Sequence, residues 1–215
     1  MRNQNSQYPK SYQKFSTMYP NREVIHGALW DTLAYATGAT VALRFFNAVR
    51  ATIDLSNMEI AGQLPFPKAF LIRAIRFFVK HGTFSQDVAA AAAAAVGAVQ
   101  NVCLLVNTCA LILTIGAKNY GTYPLRLFSA GGGVAGCGMS SLSDVGPAGA
   151  PQTGSISYAQ LGSMKVSDVY TLSKPLFIEP QMNFNVDLLW GAAVATVGNP
   201  NISVVLEGDL IRAVQ

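Results

Sequence analysis

The residues whose spacing could bind a phosphate group lie in a glycine-rich stretch. Gly133 to Ser140 reads GVAGCGMS, which has P-loop spacing except that Met139 stands where that motif has lysine. Gly131, Gly133 and Gly136 also satisfy the pattern GxGxxG. Both motifs require a helix after the loop, and the P-loop requires its lysine to reach the β- and γ-phosphates. Because the lysine is absent and the flanks are rich in Gly and Ser, we interpret this stretch as a surface loop.

The other reactive side chains lack the spacing of a catalytic or metal site. His26 and His81 are the two histidines, and no HExxH pattern is present. The three cysteines include Cys103 and Cys109, contain no CxxC pair, and fit buried thiols better than redox or metal ligands. No GxSxG is present, and the 11 carboxylates form no recognisable acid/base pair. The sequence therefore predicts a protein that is not an enzyme, with no cofactor and no metal.

Positive charge is concentrated at the start of the chain. Residues 1–80 hold ten Lys/Arg and four Asp/Glu, whereas residues 81–215 hold five and seven. Residues 1–22 carry four cations and no acid: Arg2, Lys10, Lys14 and Arg22. We expect a basic flexible arm that contacts neighbouring subunits, nucleic acid or anionic lipid. A merely solubilising terminus remains the alternative, and four charges are too few for specific nucleic-acid binding.

The composition predicts a hydrophobic core and an outer surface that is largely in contact with other molecules. Hydrophobic residues make up 51% of the chain and charged residues 12%, about half the usual share of charge. A lone soluble domain carries more surface charge, so we expect much of the surface to contact other copies, another protein or lipid. The polar N-terminus lacks the apolar segment of a signal peptide, which favours synthesis in the cytoplasm.

Period-2 alternation predicts two antiparallel strands in residues 170–215. Phe184, Val186 and Leu188 alternate with polar residues, and after a turn at residues 198–201 so do Ile202, Val204, Leu206 and Leu210. One face of each strand is therefore expected in the core. The polar partners Asp187, Glu207 and Asp209 are expected on the solvent side.

Earlier segments predict further strands with one helix and one long loop. Residues 24–46 indicate strands broken at Gly38, residues 69–79 favour a strand over a helix, and residues 103–115 indicate a strand with two apolar faces. Ser85 followed by Asp87 and seven alanines predicts a capped helix in a connection. Residues 129–154 are rich in Gly, Ser and Pro and predict a long loop.

An uncharged run from Val88 to Ala117 is long enough to cross a bilayer. Polar residues such as Gln100 and Asn107 interrupt the run, and its first half is alanine-rich rather than leucine-rich. Its flanks lack a Lys/Arg asymmetry or an aromatic belt. A small integral membrane protein, such as a phage lysis or channel component, is therefore kept as an alternative.

The order of these features resembles the jelly-roll capsid proteins of small icosahedral, tailless bacteriophages. The similarity covers most of residues 24–215. After the basic arm come strands, a Pro-bounded segment at residues 62–67, a helix in a connection, a long apolar strand ending at residue 115, a Gly-rich loop and a closing strand pair. No signature motif is involved.

The resemblance implies an all-β fold, a single jelly-roll β-sandwich with one Ala-rich helix in a connection and a long Gly-rich loop. It implies a basic flexible arm at residues 1–22 and a capsid domain at residues 23–215. The subunit would assemble into trimers or pseudo-hexamers that enclose the genome, beside other capsid or vertex proteins. Its location would be the virion, after synthesis in the host cytoplasm. A ligand-binding β-sandwich is a further alternative.

Overall fold

The protein is an all-β sandwich of two four-stranded antiparallel sheets with a two-stranded hairpin attached. The structure, a computed structural model, describes residues 8–80, 104–128, 134–145, 151–161, 171–196 and 199–213. These residues include helix α1 (Lys10–Met18), a helical turn at 104–107, a short 3-10 helix (Leu125–Phe128) and ten strands: β1 (Arg22–Ala34), β2 (Ala42–Phe45), β3 (Lys68–Lys80), β4 (Cys109–Ile115), β5 (Lys118–Pro124), β6 (Val134–Val145), β7 (Pro151–Leu161), β8 (Thr171–Ile178), β9 (Phe184–Trp190) and β10 (Asn201–Ala213).

The order of strands in each sheet follows a single rule. The first sheet has the order β1-β10-β3-β8 and the second β2-β9-β4-β5, while β6 pairs only with β7. When this hairpin is set aside, the first of the eight strands pairs with the eighth, the second with the seventh, the third with the sixth and the fourth with the fifth. The chain is therefore folded as one long hairpin, whose strand pairs alternate between the two sheets.

Residues 170–215 form strands as predicted, but the prediction that the two alternating segments pair with each other is wrong, and the range also contains a third strand, β8. Strand β9 runs from Phe184 to Trp190 and lies in the second sheet, whereas β10 lies in the first. Val204 and Leu206 are both fully buried. The two strands thus face each other across the core rather than pairing. The alternation of apolar and polar residues identified which residues of these strands are buried. It carries no information about which strand pairs with which.

Other strand predictions were correct in type and less accurate at their ends. Residues 24–46 form β1 and β2 around a turn in which Gly38 has a positive φ of 66°. Residues 69–79 lie within β3, and residues 109–115 form β4 with one face buried and the other half-buried. Residues 104–107, however, form a helical turn rather than a strand. The expected Ala-rich helix after Ser85 lies outside the described residues.

The expected long loop at residues 129–154 is corrected by the structure. Residues 134–145 form β6 and pair with β7 in an antiparallel ladder that runs from Val134 opposite Leu161 to Val145 opposite Pro151. Glycine and serine are typical of loops, but their backbone groups can form a ladder like those of any other residue. Pairing partners supplied by residues 151–161 therefore override the local preference of the segment.

A buried carboxylate joins the two sheets. Asp31 of β1 is fully buried and accepts hydrogen bonds from the backbone N–H of Thr32 at 3.0 Å and of Phe46 at 2.6 Å. Arg50 donates two more, from Nε at 2.8 Å and Nη2 at 2.9 Å. The hydrogen bonds that Arg50 donates to this carboxylate raise the pKa of its guanidinium. Phe46, directly after β2, has a positive φ of 66°, so the carboxylate fixes a backbone conformation that a bulky residue rarely adopts.

We expect Asp31→Ala to lower the free energy of unfolding by about 3–5 kcal/mol, because it leaves two buried N–H groups and the guanidinium of Arg50, whose side chain is 18% exposed, without their acceptor. Asp187→Ala is the matched control. It breaks an ion pair whose arginine, Arg44, is 59% exposed, and such pairs contribute only about 0–1 kcal/mol. Urea denaturation of both variants gives the comparison. Equal losses in the two variants would contradict the role assigned to Asp31.

Gly208 allows β10 and β3 to approach each other at a bulge. The register between the two strands shifts between Glu207 and Gly208, and Arg73 is the extra residue on β3. A Cβ atom at position 208 would lie 1.9 Å from the carbonyl oxygen of Leu71, which is far inside van der Waals contact. Gly27, its direct partner on β1, has room for a Cβ, whose nearest neighbour would be the Leu210 Cβ at 3.9 Å.

Gly208→Ala is therefore expected to destabilise the fold by about 2 kcal/mol or more, since backbone must move to admit the methyl group. Gly27→Ala is expected to change stability by less than about 1 kcal/mol. Thermal unfolding of the two variants tests this pair. Similar midpoints for both would show that the backbone approach at position 208 is looser than described.

Candidate interaction surfaces

Helix α1 packs on the outer face of the first sheet through an aromatic stripe. Tyr8, Tyr12, Phe15 and Tyr19 are spaced four, three and four residues apart, so they share one helix face. They cover an apolar patch on three strands made of Ala69, Leu71, Phe177 and Ile211. Phe15 is 6% exposed, and its ring centroid lies 5.6 Å from that of Phe177. This hydrophobic contact is separate from the core between the two sheets.

The structure places three of the four predicted arm cations. Lys10 and Lys14 are exposed one helical turn apart on α1, and none of the ion pairs among the described residues involves either of them. Arg22 donates from Nη1 to the carbonyl oxygens of Ser16 at 3.0 Å and Tyr19 at 3.3 Å. Arg2 lies outside the described residues. That residues 1–22 act as a flexible arm stays a prediction. In this structure the aromatic residues of this segment pack on the first sheet.

The acidic residues expected on the solvent side are each bound to an arginine on a neighbouring strand. Asp209 accepts from Arg73 Nη2 at 2.6 Å, and Glu207 pairs with Arg76 at 2.6 Å. On the second sheet, Asp187 accepts from Arg44 Nε at 2.7 Å. These carboxylates raise the pKa values of Arg73 and Arg44 chiefly through their hydrogen bonds. The sheet faces are therefore neutralised locally rather than left negative.

The outer face of the second sheet is poor in charge. Apart from the pair of Arg44 with Asp187, it carries uncharged side chains from all four strands: Ala42, Ala110, Ile112, Thr114, Asn119, Thr122, Pro124, Asn185 and Leu189. Leu189 is 38% exposed, and Val41 beside it is 50% exposed. Apolar surface that is depleted of charge is typical of the central part of a protein interface. This face is a candidate contact surface.

The described cysteine and histidine side chains are not arranged as a reactive site. Burial raises the pKa of the Cys109 thiol to about 12, so that thiol stays protonated and inert near neutral pH. His26 lies on the outer face of the first sheet, with Nε2 3.7 Å from Glu207. Within the described residues, no three His, Cys, Asp or Glu side chains lie close enough to hold a metal ion. His81 and Cys103 lie outside those residues.

Both tryptophans are engaged within the chain. The indole N–H of Trp190 donates to the carbonyl oxygen of Leu105 at 3.1 Å, and Trp190 is 5% exposed. The indole N–H of Trp30 donates to the carbonyl oxygen of Ile53 at 2.9 Å. An exposed aromatic platform beside polar groups, as expected of the alternative ligand-binding sandwich, is therefore not built from either of them.

Of the run proposed as a membrane span, residues 109–115 lie in β4, between β9 and β5. In the ranges that the structure describes, no helix has the length and hydropathy needed to cross a bilayer.

The packing of α1 on the first sheet can be tested by removing its buried phenylalanine. Burial of a phenylalanine contributes about 1.5–3 kcal/mol, so Phe15→Ala is expected to speed amide exchange in residues 10–18 by at least about tenfold. Exchange in β4 and β9 is expected to stay unchanged. Lys14→Ala, at an exposed position of the same helix, is the control with native exchange. Native protection of α1 in Phe15→Ala would contradict the packing described.

Comparison of the chain with family models, with curated proteins and with solved structures found no match.

Proposed function

We propose that the sandwich is a jelly roll and that the chain is a structural subunit of an icosahedral virus capsid. The observation that carries the proposal is the strand pairing. Eight strands pair first with last and inward to the fourth with the fifth, and successive pairs alternate between two sheets. A long hairpin rolled into a sandwich produces this arrangement, and jelly rolls are typical of capsid, lectin and cupin domains.

Surface chemistry favours the capsid among these three uses. Lectins and cupins depend on a polar pocket, whereas a shell subunit depends on broad lateral surfaces. The outer face of the second sheet offers such a surface, with Leu189 exposed and one neutralised ion pair. Exposed large apolar residues also occur at Val49, Ile53 and Phe66, which are 53%, 75% and 58% exposed. Apolar surface of this extent on a chain with 12% charged residues is consistent with burial in an assembly.

The basic residues of α1 fit one side of such a shell. Lys10 and Lys14 project from the outer face of the first sheet, where no carboxylate among the described residues pairs with them. Two such cations per subunit, repeated by symmetry, create a positive surface without any specific site. In this proposal that surface faces the genome or an internal membrane, the protein is located in the virion, and the homo-oligomer is a trimer or pseudo-hexamer.

The test is electron microscopy of the purified protein over a range of concentrations, together with sedimentation. We expect closed shells or regular oligomers of uniform size. A folded sandwich that sediments as a monomer at every concentration would overturn the proposal.

Leu189→Arg is expected to abolish assembly and to leave the thermal midpoint near that of the wild type, since the side chain projects outward from β9. Leu189→Ala is the control that keeps an apolar surface and is expected to assemble. If both variants assemble like the wild type, the outer face of the second sheet is not a lateral contact.

A further inference from the structure

The exposed face of α1 carries two lysines and a methionine in a row. Lys10, Lys14 and Met18 are spaced four residues apart, so they follow one another on the same side of the helix, one turn at a time. All three are exposed, whereas Phe15 is buried against the first sheet. Because the aromatic stripe holds the helix on that sheet, the direction of this second face is fixed.

The C-terminal end of this face is apolar. Met18 is 61% exposed, and Phe66, in the segment before β3, is 58% exposed. Tyr19 directly follows Met18, and its ring centroid lies 6.2 Å from that of Phe66. Phe66 therefore lies beside the end of the helix, and two large apolar side chains are exposed to solvent there.

The charge on the exposed face of α1 is positive. Residues 8–21 contain two lysines and no acid, and neither lysine takes part in an ion pair among the described residues. Glu59, an acid in the loop that leads to Phe66, is paired with Lys68. The exposed side chains of Lys10, Lys14, Met18 and Phe66 form what is called below the basic–apolar surface.

We propose that the basic–apolar surface binds an anionic lipid bilayer, with the two lysines at the headgroups and Met18 and Phe66 inserted beneath them. Cations beside exposed apolar side chains are the combination by which helices bind to anionic membranes. A nucleic acid has phosphates for the lysines and bases that can stack on Phe66, but it offers no apolar phase to Met18. The inference rests on the proposed function and deepens it, because it selects an internal membrane over the genome as the partner of α1.

The helix keeps its place on the first sheet in this contact. Its aromatic stripe stays packed on Ala69, Leu71, Phe177 and Ile211, and only side chains that are already exposed meet the lipid. The lysines are therefore held in position before binding, which lowers the entropic cost of the contact. One subunit binds weakly because it supplies only two cations, whereas many subunits of a shell on one membrane bind strongly together.

Vesicle flotation with the full chain tests the proposal. The probes are vesicles of phosphatidylcholine alone and vesicles of phosphatidylcholine with phosphatidylglycerol, at low salt. We expect at least about tenfold stronger binding to the anionic vesicles, since each lysine near an anionic surface contributes a factor of about five. Added salt is expected to reduce this preference. Equal binding to both kinds of vesicle, or binding to neither, would overturn the proposal.

Removal of single charges locates the contact. Lys14→Gln is expected to weaken binding to the anionic vesicles about fivefold, and the double variant Lys10→Gln with Lys14→Gln about twenty-fivefold. Lys118→Gln, on β5 of the second sheet, removes one charge of the same kind and is expected to bind like the wild type. The same loss in Lys14→Gln and Lys118→Gln would show that net charge attracts the lipid, and would overturn the proposed surface.

Removal of an apolar side chain tests insertion. Met18→Gln is expected to weaken binding to the anionic vesicles at least about threefold, because its side chain no longer enters the bilayer. Ile53→Gln is the matched control with unchanged binding, since Ile53 is 75% exposed on the loop beside Trp30. Wild-type binding by Met18→Gln would overturn insertion at the end of α1.

Oligonucleotides separate the two anionic partners. We expect single- and double-stranded DNA to bind more weakly than the anionic vesicles at the same salt concentration, and Met18→Gln to leave the binding of DNA unchanged. Inorganic phosphate is not expected to compete with the vesicles, since the surface has no enclosed phosphate site. Binding of DNA that is stronger than binding of the vesicles and is lost in the double lysine variant would overturn the choice of lipid.

The outcomes also separate this contact from the proposed function. Shells that form from a wild-type chain that binds no vesicles would overturn the lipid contact and leave the shell function standing. Binding to anionic vesicles by a protein that forms no shells or regular oligomers would overturn the shell function and leave the lipid contact standing.

Discussion

The buried carboxylate of Asp31 is the interaction on which the arrangement of the two sheets depends. It lies on β1 of the first sheet and binds the backbone directly after β2 of the second, together with the Arg50 guanidinium. Hydrophobic burial holds sheets together without fixing their relative position, because it is non-directional. A fully buried carboxylate that accepts four hydrogen bonds does fix it, since two of the donors are buried backbone N–H groups that would be left unpaired.

The sequence predicted the class of fold because burial in a sandwich has a short period. Ile202, Val204 and Leu206 alternate with more polar residues, and this alternation is a property of any strand with one dry face. Strand partners were not predictable in the same way, since β1 and β10 pair through residues such as Thr32 and Ser203, which lie 171 positions apart. The pairing depends on the complete set of strands, and no local pattern of residues specifies it.

The missed features have different physical causes. The stripe of Tyr8, Tyr12, Phe15 and Tyr19 has helical spacing and could have predicted α1, but the net charge of the segment suggested an arm instead. Asp31 and Arg50 gave no signal, because an acid in a strand and a base in a loop are ordinary until the fold brings them together.

The central position of β10 has a consequence for how the chain folds. Strands β1 and β3 are not neighbours; each pairs with β10, which follows all other described strands along the chain. Until residues 201–213 insert between them, two 13-residue strands lack their main partner, with Leu206 and Val204 absent from the core. Folds dominated by such distant contacts form slowly and expose strand edges while they form. Until β10 inserts, the edges of β1 and β3 that it covers in the folded protein are open to pairing with any other strand.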